Sequence, residues 1–168
     1  GVGKTSKEIK YAIEKKILLI NAESKSEILE IEKIAKSKKK IINIGIRLNP
    51  NTDAKTLSQI STGKKENKFG ITEKDFYSLV NYVKNSKYIN LKCLSVHIGS
   101  QILNHKPYEK MLNVVHKIIK KTRHNFSFID LGGGMWISYD DSSKKLNYKK
   151  YIIFINKFLK KNNSKIIF

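Results

Sequence analysis

The chain has 168 residues, 40% of them hydrophobic, enough for one domain with its own core and too many for a disordered or fibrous chain. Its longest apolar run, Tyr151 to Ile155, is too short to span a membrane, and no signal-peptide pattern opens it, so no membrane partner is expected. The net charge of +20 invites a nucleic-acid reading, but of 34 basic residues only Arg47 and Arg123 are the arginines that nucleic-acid surfaces favour. The lysines are spread in pairs such as Lys120-Lys121 and Lys149-Lys150, which reads as solvated helix faces and a compositional bias, with no nucleic acid expected. Cys93 is the single cysteine and has no partner in the chain, which suits a reducing, cytoplasmic setting.

The opening Gly1-Val2-Gly3-Lys4-Thr5 lacks the earlier glycine that a phosphate-binding P-loop needs. Thr5 with Glu8 reads instead as a capping box, followed by an apolar stripe at Ile9, Ala12 and Ile13. Ile17 to Ile20 reads as a short buried strand. Ser24 with Glu27 reads as a second capping box, opening a helix striped by Ile28, Ile31 and Ala35. Ile41 to Leu48 is the next strand, ending in Arg47, Asn49 and Pro50. A long polar loop from Asn51 to Gly70 follows, of a length that is usually functional or mobile. Thr72 and Asp75 cap a helix striped by Phe76, Leu79, Val80 and Val83.

Leu91 to Gln101 starts as a strand and ends in His97, Ile98, Gly99 and Ser100. Pro107 opens a helix carrying Tyr108, Met111, Leu112, Val115, Ile118 and Ile119 inward. Phe126 to Leu131 is a strand running into Gly132, Gly133 and Gly134. Tyr148, Tyr151, Ile152, Ile155, Phe158 and Leu159 stripe the last helix, and Lys165 to Phe168 begins one more strand.

Strands alternate with helices throughout, so the expected fold is α/β, a parallel sheet covered by helices. The unusual polar residues fall just past strand C-termini, the edge where barrels and doubly wound sheets both place their sites. The expected architecture is a partial (β/α)8 barrel spanning residues 1–168 as a single domain, since a full barrel takes ~250 residues.

Glycine lets backbone amides approach a phosphate closely, so Gly132 to Gly134 read either as a phosphate cradle or simply as a tight turn. Ser100, a hydroxyl after a glycine on another strand end, supplies a second phosphate donor. His97 reads either as a satisfied interior histidine or as a ring stacked on an aromatic cofactor above that phosphate. His105, His116 and His124 read as surface residues. No Cys/His cluster has metal spacing, so no metal is expected, and there is no nucleophile elbow.

Val96-His97-Ile98-Gly99-Ser100-Gln101, Asp130-Leu131-Gly132-Gly133-Gly134, Arg47-Leu48-Asn49-Pro50 and Ser61-Thr62-Gly63 through Lys68-Phe69-Gly70-Ile71 occur in one order. Together they resemble the diaminopimelate decarboxylase family, among the pyridoxal-phosphate enzymes built on an alanine-racemase-like barrel. Gly1 to Thr5 and Asn21 to Ser24 match the same family. The resemblance implies pyridoxal 5'-phosphate as cofactor and decarboxylation of meso-2,6-diaminopimelate to L-lysine and carbon dioxide, a lysine-biosynthesis step, in a homodimer. It implies that His97 stacks on the pyridine ring. Ser100, Gly132, Gly133 and Gly134 hold the phosphate, Arg47 faces the cofactor, and the loop around Lys68, Phe69 and Gly70 covers the site. His97 and Arg47 are the implied catalytic residues.

No segment here matches the family's early strand with its cofactor-bearing lysine, nor its C-terminal β domain. The chain is therefore expected to cover about strands three to eight and to be inactive alone. Cys93, inside a strand, does not correspond to the family's catalytic cysteine, which belongs to that β domain. Rival readings are an ornithine, arginine or carboxynorspermidine decarboxylase of the same fold, or a basic non-catalytic RNA-associated domain.

Overall fold

The computed structural model describes residues 1–50, 69–100, 102, 105–135 and 147–168. Its elements in order are α1 (Ser6–Glu14), β1 (Ile20–Ala22), α2 (Lys25–Ser37), β2 (Ile42–Leu48), α3 (Glu73–Lys84), β3 (Ile89–Val96), α4 (Lys106–Thr122), β4 (Phe128–Asp130), α5 (Tyr148–Leu159) and β5 (Lys165–Ile167). All strand pairs are parallel, and the sheet order β1-β2-β3-β4-β5 follows the chain. Parallel strands joined by the usual right-handed crossover and stepping in one direction put the connecting helices on the same face. That is the arrangement of a barrel wall, not of a doubly wound sheet, and among the described residues its edge strands β1 and β5 are not paired with each other.

Helix starts follow local chemistry. Thr5 and Glu8 form a complete capping box: the Thr5 hydroxyl accepts from Glu8 N, and Glu8 accepts from Thr5 N at 2.8 Å. The second box expected at Ser24 is only half formed. Ser24 Oγ accepts from Glu27 N at 3.1 Å, but Glu27 reaches one residue further back, to Glu23 N at 2.7 Å, and pairs with Lys4 Nζ at 2.9 Å.

The first strand lies later than its apolar run. Ile17 and Leu18 are about half exposed, and pairing starts at Ile20, so Asn21 and Ala22 belong to the strand and do not follow it. In α5, Tyr151, Ile155 and Phe158 are buried, whereas Tyr148 and Ile152 are exposed. Of the described lysines only Lys4, Lys38 and Lys92 are partly buried, in keeping with solvated helix faces. No helix of the described residues is long and apolar enough to cross a membrane.

The core lies between sheet and helices. Ile44, Ile46, Leu48, Leu94, Val96 and Ile129 meet Ile28, Ile31, Phe76, Met111 and Val115 there. Strand pairing shifts by one residue between Ile44 and Gly45, leaving Lys92 of β3 unpaired. Such a bulge inverts the alternation downstream. Leu94 and Val96 therefore join the helix-covered face, and Cys93 and Ser95 the opposite one.

Candidate active site

On the face away from the helices, residues paired across the strands form two rows. Asn21, Gly45, Cys93 and Phe128 lie in one; Arg47, Ser95 and Asp130 lie in the next, toward the strand C-termini. The Asp130 carboxylate is their hub. Its Oδ2 accepts from Asn21 Nδ2 at 2.7 Å and from Ser95 Oγ at 3.0 Å, and its Oδ1 accepts from Gly132 N at 2.8 Å. Sequence reasoning treated Asp130 only as part of a motif and did not single out Ser95. The available signal was an acidic residue inside the apolar stretch Phe128-Ile129-Asp130-Leu131, a residue type almost never buried unless paired.

The loops after β3 and β4 meet. Ile102 N donates to Gly134 O at 2.9 Å, and Ile102 forms an isolated parallel bridge with Met135. A Cβ at Gly134, where φ is +98°, would collide with the Gly99 carbonyl oxygen, and one at Gly132 would lie 2.5 Å from His97 Nδ1. Only glycine allows this approach. His97, Gly99, Gly132 and Gly134 are thereby brought together. Gly133 is exposed with open space where a side chain would project, and Ser100 is exposed beside Gly99.

Arg47 stands on the neighbouring strand end. Its Nη1 donates to Glu23 Oε2 at 2.9 Å, with both side chains largely buried, while its buried Nε has no hydrogen-bond partner among the described residues. Phe69 lies under the Arg47 guanidinium at 5.9 Å from the ring centroid. Gly70 packs on the Arg47 carbonyl, and Ile71 N donates to that oxygen at 2.7 Å. Ile71 thus adds a short parallel bridge to Leu48 at the end of β2. Lys68 lies outside the described residues.

Burial, reinforced by the Arg47 cation, lowers the pKa of His97 below its ordinary 6.5, against the weaker opposing pull of Asp130 and Glu23. The ring is neutral at pH 7. Burial, with Asp130 adding to it, pushes the Cys93 thiol up to about 12, so Cys93 is an inert interior group. The other histidines are not simple surface groups. His124 is half-buried, with Nε2 2.9 Å from Leu91 O and its ring edge-on to Phe126, and His116 Nδ1 lies 3.3 Å from Asn162 Oδ1. His105 stacks on Phe154.

The model of the pyridoxal-dependent decarboxylase, pyridoxal binding domain, matches residues 1–167. The chain belongs to that family. It is 39% identical over 143 residues to diaminopimelate decarboxylase of Campylobacter jejuni, covering 83% of this chain and 36% of that protein. It is 37% identical over 174 residues to the Zymomonas mobilis protein of the same name, covering 100% of this chain and 41% of that one. The crystal structure of diaminopimelate decarboxylase from Helicobacter pylori complexed with L-lysine superposes with a TM-score of 0.87 at 36% identity, over 99% of this chain and 43% of that one. The chain thus spans less than half the length of each of these relatives.

The residues present fit the pyridoxal group that the family name implies. Exposed backbone at Gly133 and the Ser100 hydroxyl are donors of the kind a phosphate takes. The neutral His97 ring beside them is suited to lie against an aromatic system. Gly132 N already donates to Asp130, so Gly132 supplies the shape of the turn, and the amides left for an anion are those of Gly133 and Gly134.

Proposed function

We propose that the intact protein decarboxylates meso-2,6-diaminopimelate to L-lysine and carbon dioxide with pyridoxal 5'-phosphate, and that this chain supplies the cofactor cradle. The observation that carries the reading is the meeting of the two strand-end loops, with the Gly134 backbone against Gly99 and the Gly132 turn against the His97 ring. The substrate rests on the diaminopimelate decarboxylases to which the chain is 33% to 42% identical.

In this reading Ser100 Oγ and the amides of Gly133 and Gly134 hold the phosphate. The His97 ring packs against the pyridine; being neutral, it adds no positive charge there. Bound in the cradle, the cofactor supplies the electron sink that loss of carbon dioxide from an amino acid requires. Glu23 fixes the Arg47 guanidinium so that its unspent Nε–H faces the interior. Phe69 and Gly70 pack on Arg47 and fix that strand end, and Lys68 is proposed to lie over the site. The working form is a homodimer.

The test is an assay of the intact protein with pyridoxal phosphate and, separately, meso-diaminopimelate, ornithine and arginine. Lysine formed only from diaminopimelate supports the reading. Turnover of ornithine or arginine in its place overturns the substrate, and a protein that does not bind the cofactor overturns the whole proposal.

A further inference from the structure

Asn21 and Asp130 are 109 positions apart, on β1 and β4, yet their side chains are hydrogen-bonded at 2.7 Å. Strands β2 and β3 run between them. The Asn21 carboxamide crosses β2 directly above Gly45, where a Cβ would collide with Asn21 Oδ1 and stand 3.0 Å from Cys93 Cβ. Gly45 is in ordinary strand conformation, so its backbone does not require glycine; the crossing carboxamide does. On its far side Asp130 takes the Ser95 hydroxyl from β3 and, through its other oxygen, the Gly132 amide. Three strands and the first residue of the glycine turn are thereby tied to one carboxylate. Gly132 in turn abuts His97 Nδ1.

We propose that Asn21, passing over the bare Gly45, and Asp130 are positioning residues that hold the Gly132–Gly134 turn in register with His97 and so preorganise the cofactor cradle. This rests on the cradle reading above. Neither residue needs to touch the cofactor. Asn21 aligns the carboxylate, and the carboxylate fixes the amide that sets the turn. A charge-assisted hydrogen bond to a partly buried carboxylate is stronger than one between neutral groups, so losing one donor loosens what the carboxylate holds.

The test compares Asn21→Ala, Gly45→Ala and the Gly45→Ala/Asn21→Ala double variant in the intact protein. It reads hydrogen exchange of the Gly132 amide without cofactor and pyridoxal-phosphate affinity by absorbance. Each single variant is expected to exchange Gly132 faster and to bind cofactor about three- to tenfold more weakly. The double variant should be only slightly worse than Asn21→Ala, because the added methyl then meets no carboxamide and only Cys93 Cβ at 3.0 Å remains to give way. Exchanging the pair, Asn21→Asp with Asp130→Asn, keeps an acceptor for Gly132 and should recover most of its protection. Additive losses in the double variant, or unchanged Gly132 exchange in Asn21→Ala, overturn the proposal. If the wild-type protein binds no pyridoxal phosphate, the cradle reading fails, while the exchange data still decide whether the strut exists.

Discussion

On the helix-covered face of the sheet, Ile44, Ile46, Leu48, Leu94, Val96 and Ile129 are buried and apolar. On the other face the same three strands carry Gly45, Arg47, Ser95 and Asp130. The first face is held by shape and area, and its groups need only fill space. The second is held by polar contacts, Glu23 with Arg47 and Asp130 with Asn21 and Ser95, each of which would be costly without its partner. Damage to the first face should therefore be felt as lost stability, and damage to the second as a misplaced site.

The sharpest separation comes from Phe76→Ala. Phe76 is fully buried on α3 beside Phe126, and truncation should cost about 3–5 kcal/mol in denaturant unfolding, with cofactor affinity of the folded fraction unchanged. A parallel loss of affinity would break the distinction between faces. Arg47→Met leaves Glu23 buried without its cation and should cost about 3 kcal/mol, a loss that Glu23→Leu in the same chain should largely reverse. Gly134→Ala meets the Gly99 carbonyl at a positive φ and should cost about 1–3 kcal/mol and weaken pyridoxal-phosphate binding. Gly133→Ala, projecting into open space, should leave stability nearly unchanged; equal effects of the two would contradict the geometry of the turn.

The smallest effect is a pH dependence. His97 has a folded-state pKa below its ordinary 6.5, so its contribution to stability is complete above about 6.5 and is lost as the pH falls through the lower folded value. His124, also lowered by burial, acts in the same direction. An NMR titration should give a His97 midpoint below 6.5. In Arg47→Met that midpoint should move up, because a cation that opposes protonation is gone while Asp130 and Glu23 remain.

The helix-covered face was legible in the sequence because burial there repeats at helical and strand periods, as at Phe76, Leu79, Val80 and Val83. The parallel α/β wall followed from the same alternation. The other face was legible only where motif and strand end coincide, at Arg47, His97 and Gly132 to Gly134. The Asn21–Asp130 contact was not, because a pairing across 109 residues leaves no local period. The bulge at Lys92 hid Ser95 in a run that reads as continuously buried. Ile17 and Leu18 were misread as strand because an apolar run of that length carries no mark of which end pairs.

The most direct test is a crystal structure of the intact protein with pyridoxal phosphate. The phosphate is expected against Ser100 and the amides of Gly133 and Gly134, with the pyridine ring against His97. A phosphate bound elsewhere, or a ring turned away from His97, would contradict it.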